Sequence, residues 1–221
     1  MTQALPELPV CRWQGGMIKG RYFRLTKGRF SPIMNEHAEN DDAAGALQKG
    51  FELLQSGAHE QALAEFTRAE ELYAAAGDGQ RQARACTNKA LVMVQLRRFE
   101  EALDGFRAAL RRFEEGDEFI RVAEQYGNIG SVHRDLEQPD EALESYTEAL
   151  AIYQQLGLRE RAADQCTNIA YARFMKKEYE EALRWYREAL ALYTQTGSED
   201  KRALTAENVS RLAAALEGTS E

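Results

Sequence analysis

Four asparagines carry the most regular chemistry in this 221-residue chain. Asn88, Asn128, Asn168 and Asn208 are each forty residues apart, in the middle of segments that read as helices. Asparagine is a poor helix former because its side chain competes for local hydrogen bonds. Its amide both donates and accepts, so a row of such amides could hold the backbone of an extended peptide. The alternative is that each amide bonds to a neighbouring helix and only stabilises stacking.

The residue types that usually carry catalysis or bind metals are few and scattered. The cysteines and histidines are Cys11, Cys86, Cys166, His37, His59 and His133. No nucleophile lies next to a base, no Cys/His group has metal-ligand spacing, and no glycine-rich loop for a phosphate is present. Three sparse cysteines argue against a disulfide framework and fit a reducing compartment. We therefore expect no enzymatic activity, no cofactor and no metal.

The asparagines belong to a forty-residue repeat that covers most of the chain. Three more columns with this period are Ala62, Ala102, Ala142 and Ala182; Phe66, Phe106, Tyr146 and Tyr186; and Ala69, Ala109, Ala149 and Ala189. A fixed period in this range is the signature of a solenoid. Each unit contains two patterns with helical spacing, as in residues 126–136 and 139–157. Gly77, Gly157 and Gly197 are predicted to be left-handed residues that end helices, with Gly116 in this role one residue early.

The order of residues within one unit resembles the tetratricopeptide repeat. The matching residues are Tyr126, Ile129 and Gly130 in the first helix and Ala142, Tyr146 and Ala149 in the second. The unit is forty residues rather than the usual 34 or so, which resembles the long-repeat branch that includes kinesin light chain. The resemblance implies an all-α fold, a right-handed α-solenoid of four helix–turn–helix repeats with a C-terminal capping helix. It also implies that the first helices line a concave groove, where asparagines at the matching position hold extended peptides in some members.

The candidate site residues are those that the first helices would present to that groove. At about 100° per residue, they lie on the side opposite to the one that packs on the second helix. They are Gln48, Phe51, Leu54, Gln55, Arg84, Asn88, Leu91, Gln95, Asn128, Ser131, Arg134, Asp135, Asn168, Tyr171, Phe174 and Met175. Their apolar members would supply side-chain pockets or, alternatively, ordinary contacts between adjacent repeats.

The opposite side of the first helix is predicted to pack on the second helix. In the second unit it contains Cys86, Ala90 and Met93. Ala90 belongs to a column of small residues, with Gly50, Gly130 and Ala170, which would let two helix backbones approach closely. Cys86 and Cys166 are expected to be small buried hydrophobic residues.

The third unit has two unusual residues. Gly127 adds a second glycine to the helix that contains Gly130, at a cost of about 1 kcal/mol relative to alanine. It would either clear space for a ligand or mark a soft unit. His133 replaces the usual aromatic residue of its helix, and we expect it to be buried and hydrogen-bonded.

Three regions are predicted. Residues 1–38 form a basic segment expected to be disordered, residues 39–198 form four repeats, and residues 199–221 form a capping helix and a short tail. Leu204, Val209, Leu212 and Leu216 would cover the last repeat. The net charge is −8, but residues 1–33 carry six Lys/Arg and one acid, so this segment is +5 and the remainder −13.

The basic segment leaves several alternatives open. It could be a disordered tail, a consequence of start-codon choice with Met34 as the true start, a weak mitochondrial-type presequence, or an arm that binds RNA or an anionic membrane. No apolar stretch approaches the length of a membrane span, and the N-terminus has no secretory pattern. The acidic remainder makes nucleic-acid binding there unfavourable.

The sequence therefore predicts a cytoplasmic, non-enzymatic scaffold or adaptor. Its partner would be a protein segment, either an extended peptide or a helix, bound in the concave groove. The alternatives are a self-associating assembly module, with a homo-oligomer as the product, and a regulator that binds nucleic acid through the basic arm. We expect no membrane partner.

Overall fold

The computed structural model describes residues 41–217, and every regular element in this part of the chain is an α-helix. The chain divides after Glu118 into two compact units. In the first unit lie α1 (Asp41–Gln55), α2 (His59–Ala75), α3 (Gly79–Gln95) and α4 (Phe99–Glu115). In the second lie α5 (Phe119–Asp135), α6 (Pro139–Gln155), α7 (Arg159–Met175), α8 (Tyr179–Thr196) and α9 (Glu199–Glu217). The basic segment 1–38, with Cys11, Met34 and His37, lies outside the described residues.

Regular helix lengths explain the forty-residue period. The helices α2 to α7 are each 17 residues long, and three residues separate each helix from the next. Within each unit every helix packs against the next one in the chain, as expected for helical hairpins with short turns. The prediction of an all-α chain built from helix–turn–helix pairs is confirmed over residues 41–217.

A left-handed residue ends the helices at intervals of twenty residues. These residues are Gly57, Gly77, Arg97, Asp117, Glu137, Gly157, Lys177 and Gly197. At each turn the following N–H donates to the carbonyl five residues back, as from Leu158 to Tyr153 at 2.9 Å, which is the Schellman motif. The prediction is confirmed for Gly77, Gly157 and Gly197.

The prediction for Gly116 is wrong. Gly116 has φ −95°, and Asp117 adopts the left-handed conformation with φ 53°. The 17-residue helix ends at Glu115, so the geometry of the turn places the left-handed residue at 117 whether or not it is a glycine. Aspartate is among the side chains that tolerate this conformation best.

The predicted columns of alanine and aromatic residues form the cores of the two units. The rings of Phe66 and Phe106 in the first unit, and of Tyr146 and Tyr186 in the second, are at most 1% exposed. All eight alanines of the two alanine columns are fully buried. Cys86 and Ala90 are buried as predicted, while Met93 is half-buried.

The column of small residues makes room for aromatic rings as well as for backbone. A Cβ added to Gly50 would lie 2.6 Å from the Phe66 ring, and one added to Gly130 would lie 2.7 Å from the Tyr146 ring. Ala90 lies against Gly105, so the predicted close approach of two helices occurs in that pair. The small residues of this column therefore make room for aromatic rings of the second helix, and not only for a close approach of two backbones as predicted.

The last helix, α9, packs against α8. Leu212 is 1% exposed, and Val209 and Leu216 pack around the same core cluster as half-buried residues. The prediction for Leu204 is wrong, because its side chain is 44% exposed. Leu204 is equivalent to Glu124 and Asp164, which contact the first helix of the following pair, and no such helix follows α9 within residues 41–217.

Candidate partner-binding surface

Ion pairs hold consecutive first helices side by side in the second unit. Arg161 of α7 bonds to Glu124 of α5, with 2.5 Å between Nη1 and Oε1. Forty residues later, Lys201 of α9 bonds to Asp164 of α7, with 2.9 Å between Nζ and Oδ1. In both pairs the carboxylate lies near the start of one first helix. The cation is the third residue of the following first helix. This register sets which side chains of α5, α7 and α9 become neighbours on the exposed side.

An aromatic ring accompanies each of these cations. Arg161 lies 5.7 Å from the centroid of Tyr153, and Lys201 lies 5.6 Å from that of Tyr193. In the first unit, Arg81 lies 6.0 Å from the Tyr73 ring. Such contacts are attractive because the ring face is electronegative. Sequence reasoning missed this column, although the forty-residue spacing of the cations and of the tyrosines was a usable signal.

The predicted site residues of α1 and α3 form what we call the amino-terminal patch: Gln48, Phe51, Leu54, Gln55, Arg84, Asn88, Leu91 and Gln95. Phe51 and Leu54 are half-buried, and Phe51 packs edge-on against Phe66 at 5.2 Å. Gln48 is exposed and donates to Glu52 of its own helix at 2.9 Å. Leu91 and Asn88 are half-buried. Val94, on the same helix as Leu91, is only 6% exposed and belongs to the core.

The predicted site residues of α5 and α7 form the carboxy-terminal patch: Asn128, Ser131, Arg134, Asp135, Asn168, Tyr171, Phe174 and Met175. The rings of Tyr171 and Phe174 stack with 6.5 Å between centroids and 14° between planes. Phe174 also packs edge-on against Tyr179 at 5.4 Å. Tyr171, Phe174 and Met175 are all half-buried, so each keeps part of its apolar surface exposed.

The predicted site residues of α5 are all polar. On α5, Arg134 donates to its neighbour Asp135 at 2.8 Å and 3.0 Å. Ser131 donates to the Gly127 carbonyl at 2.9 Å and accepts from the Tyr146 hydroxyl at 3.2 Å. Ser131 therefore ties the first helix to the second, a role that the sequence did not indicate. The expected hydrogen bond of His133 is present, with 2.7 Å between its Nδ1 and Gln138 Oε1. The expectation that His133 is buried is wrong, because its side chain is half-buried.

The four asparagines differ in exposure. Asn88 and Asn168 are half-buried, Asn128 is 9% exposed, and Asn208 is fully buried. Asn168 donates to Gln165 of its own helix at 3.3 Å. Neither amide atom of Asn208 has a hydrogen-bond partner among residues 41–217, which is unusual for a buried polar side chain.

Gly127 faces the neighbouring first helix. A Cβ added there would lie 3.6 Å from the amide of Gln165, which is ordinary van der Waals contact. Gln165 therefore already fills the space in front of Gly127, and a side chain as small as alanine would fit.

The described residues bring together no metal site. No group of three or more His, Cys, Asp or Glu within residues 41–217 is arranged to hold a metal ion. Burial raises the pKa of Cys86 to about 11 and that of Cys166 to about 12, so both thiols are protonated at neutral pH. None of the helices among residues 41–217 has the length and apolar character needed to cross a membrane.

Similar solved structures are helical repeat proteins. The apo form of RapI has TM-score 0.70 and 14% identity over 90% of this chain and 74% of its own. Aspartyl phosphate phosphatase F from Bacillus subtilis has TM-score 0.71 and 14% identity, covering 83% of this chain but only 49% of its own. A kinesin light chain from Podospora anserina with nearly identical TPR-like repeats has TM-score 0.69 and 12% identity, covering 83% and 90%. These likenesses show a shared fold.

Sequence comparison identifies the family. A comparison with curated proteins found no match. The sequence profile described as tetratricopeptide repeat matches residues 83–155 and 121–195, two overlapping stretches that together span more than half of the chain. The chain of helix pairs described above therefore belongs to the tetratricopeptide repeat family, whose fold serves protein–protein interaction.

Proposed function

We propose that this protein is a non-enzymatic scaffold or adaptor that binds a segment of a partner protein, as an extended peptide or a helix, on its first helices. The observation that carries the proposal is the stacked pair Tyr171 and Phe174, which keeps apolar surface exposed beside Met175. Partly exposed aromatic rings are the side chains that most often anchor a partner. The half-buried amide of Asn168, on the same helix, would orient it.

The polar neighbours favour a segment with its own hydrogen-bonding groups. Asn168 bonds to Gln165 at a long 3.3 Å, so its amide can exchange this bond for one to a partner's backbone. Arg134 and Asp135 present one charge of each sign. The amino-terminal patch, taken by itself, offers the half-buried apolar side chains of Phe51, Leu54 and Leu91.

The described residues support a role without catalysis. Cys86 and Cys166 are buried and protonated, which removes the two described thiols as nucleophiles. His133 is engaged with Gln138. The similar phosphatase F shares only the fold at 14% identity, so no phosphatase activity is proposed here.

The proposal is tested by comparing the proteins captured from a lysate by the wild type and by Tyr171→Ser, and by Asn128→Ala combined with Asn168→Ala. Tyr171 is half-buried, so the Tyr171→Ser variant is expected to stay folded, which circular dichroism checks. Leu156→Ser is the matched control, because it removes a 41% exposed apolar side chain from a turn. We expect the two patch variants to lose specific proteins that the control retains.

Three results would contradict this assignment. Unchanged capture by folded patch variants would exclude the carboxy-terminal patch as the binding site. A wild-type dimer in light scattering that dissociates on Tyr171→Ser would favour self-association instead. Salt-dependent RNA binding that disappears on deletion of residues 1–33 would favour the nucleic-acid alternative.

A further inference from the structure

Two large apolar side chains at the start of α5 are exposed to solvent. Phe119 is 53% exposed and Ile120 is 42% exposed. The equivalent residues of α3, α7 and α9 are polar or glycine: Gly79 and Gln80, Arg159 and Glu160, and Glu199 and Asp200. The repeat therefore does not need an apolar residue at either position. Adjacent exposed apolar side chains that the fold does not need point to contact with another molecule.

A third apolar side chain replaces a polar one in the turn before α7. Leu158 is half-buried and makes no hydrogen bond that caps the helix, whereas its equivalent Asp78 accepts from the N–H of Arg81 at 2.9 Å. The other equivalents, Glu118 and Ser198, are also polar. Apolar residues thus replace polar ones at the starts of two consecutive first helices of the second unit.

Packing contacts bring the start of α5 close to the turn before α7. Leu158 packs against the core cluster that contains Ala123 of α5. Phe119 lies one helical turn before Ala123, on the same side of α5. Phe119 and Leu158 therefore lie at one edge of the second unit, where second helices end and first helices begin.

The repeat places Ile120 at the same edge. Its equivalent in the next pair, Glu160, bonds to Lys201 of the following first helix, with 2.8 Å between Oε1 and Nζ. The equivalent of Lys201 is Arg161, so Ile120 is expected beside Arg161 at the start of α7. We call Phe119, Ile120 and Leu158 the edge patch.

Positive charge of the second unit borders the edge patch. Arg121 and Arg161 both bond to the single carboxylate of Glu124. Arg159, which directly follows Leu158, is exposed and has no ion pair with another residue of 41–217. A carboxylate brought to Arg159 would therefore gain an ion pair without breaking one.

The size and charge of the edge patch favour a short acidic segment as its occupant. Two exposed side chains and one half-buried side chain offer far less area than the roughly 800 Å² per partner of a standard stable interface, which disfavours a second copy of the chain. The chain's own residues 1–33 carry a net charge of +5, so Arg159 would repel them.

We propose that the edge patch docks a short segment of a partner protein in which a large apolar residue adjoins aspartate or glutamate. The apolar side chain contacts Phe119 and Ile120, and the carboxylate bonds to Arg159. None of these residues belongs to the amino-terminal or the carboxy-terminal patch. The proposal therefore goes beyond the function proposed above and is tested independently of it.

The test selects peptides that bind the full chain from a random library displayed on phage. We expect a set of enriched peptides in which a large apolar residue adjoins aspartate or glutamate. Their affinity, measured by fluorescence anisotropy, should fall by about tenfold or more for Phe119→Ser combined with Ile120→Gln, because both apolar contacts are lost. The double variant should stay folded, since Gln80 occupies the position equivalent to Ile120, and circular dichroism checks this.

The charge is tested by Arg159→Glu. This variant should weaken binding of the acidic peptides by about fivefold or more, and the difference should shrink at high salt. Peptides in which the acidic residue is replaced by its amide should bind Arg159→Glu and the wild type equally.

Two control variants assign the binding to this surface. Leu204→Gln is the matched control, because Leu204 is a 44% exposed apolar side chain of the same unit, and it should bind the peptides like the wild type. Tyr171→Ser should also bind them unchanged, which separates the edge patch from the carboxy-terminal patch.

Four results would overturn the proposal. If no selected peptide loses affinity for the double variant, the edge patch does not bind such segments. If the peptides that depend on the edge patch are rich in lysine or arginine, the partner has the opposite charge. Binding that appears only after deletion of residues 1–33 would make the chain's own basic segment the occupant. A wild-type dimer in light scattering that dissociates in the double variant would identify a second copy instead.

Discussion

Arg161 and Glu124 form a half-buried ion pair between α7 and α5, with 2.5 Å between Nη1 and Oε1. The two residues are 37 positions apart in the chain, and the Tyr153 ring lies 5.7 Å from the guanidinium. Glu124 also accepts from Arg121 at 2.8 Å, so one carboxylate bonds to two cations. The contact therefore links two consecutive helix pairs of the second unit.

We predict that Glu124→Gln lowers the free energy of unfolding by about 1–2 kcal/mol, because it leaves two cations beside each other without their anion. This lies between the small effect of an exposed pair and the larger effect of breaking a buried one. Urea denaturation measures it. Asp104→Asn is the control: Asp104 is 82% exposed and 3.9 Å from Arg107, so no measurable change is expected. Equal effects of the two substitutions would contradict this account.

Two glycines of α5 should respond in opposite ways to alanine. A Cβ at Gly130 would lie 2.7 Å from the Tyr146 ring, which is fully buried and cannot move aside. We predict that Gly130→Ala destabilises by about 1–2 kcal/mol, since overpacking exceeds the gain in helix propensity. At Gly127 the nearest atoms would be 3.6 Å away, so Gly127→Ala should stabilise by about 0.5–1 kcal/mol.

Thermal and urea unfolding of the two variants, measured side by side, test this pair of predictions. The helix and the substitution are the same, so any general effect of alanine cancels. A stabilising Gly130→Ala would show that the helices can separate to admit the methyl group. A destabilising Gly127→Ala would mean that Gln165 cannot shift, and that Gly127 is required for the contact with α7.

The sequence alone predicted the core residues of the two units, because these residues recur with a fixed period. One period predicted the burial of Phe66, Phe106, Tyr146 and Tyr186, since every copy meets the same neighbours. The period also placed the first helices, and with them the residues of the two patches. What it could not predict is how deeply each copy is buried, as shown by Asn168, which is half-buried, and Asn208, which is fully buried.

Two features were missed for separate physical reasons. The left-handed residue is at 117 because the 17-residue helix ends at Glu115. The sequence prediction assumed that this residue must be a glycine and therefore chose Gly116. Leu204 was predicted to cover the last repeat together with Val209, Leu212 and Leu216, but its side chain is 44% exposed. Its equivalents Glu124 and Asp164 are polar and lie at the contact with a following helix, which was the signal available in the sequence.

The turns offer a further prediction. Gly157 has φ 67° and Lys177 has φ 63°, although a side chain with a Cβ disfavours this region by about 1–2 kcal/mol. We expect Gly157→Ala to lower the free energy of unfolding by about 1 kcal/mol, whereas Lys177→Ala should have little effect because it exchanges one such residue for another. Lys177→Gly should be neutral or stabilising. Urea denaturation of the three variants provides the measurement, and equal losses for Gly157→Ala and Lys177→Ala would contradict this explanation.

The buried thiols should make the protein less stable in alkaline solution. Burial raises the pKa of Cys86 to about 11 and that of Cys166 to about 12, whereas a thiol in the unfolded chain has a pKa of about 8.5. The unfolded state therefore loses its thiol protons first as pH rises. The stability that the neutral thiols contribute is complete below pH 8.5 or so and is lost progressively up to the folded pKa values. Each thiol contributes a slope of at most about 1.4 kcal/mol per pH unit.

Comparison with Cys86→Ala combined with Cys166→Ala isolates this contribution. Alanine fits the column, because Ala46 and Ala206 occupy the equivalent positions of α1 and α9. Urea denaturation between pH 8 and pH 10 should show a steeper loss of stability for the wild type than for the double variant. In a Cys11→Ser background, a thiol reagent at pH 8 should label neither Cys86 nor Cys166 until urea unfolds the chain. Rapid labelling of the native protein, or parallel pH profiles for the wild type and the double variant, would mean that these thiols ionise as readily in the folded chain as in the unfolded one.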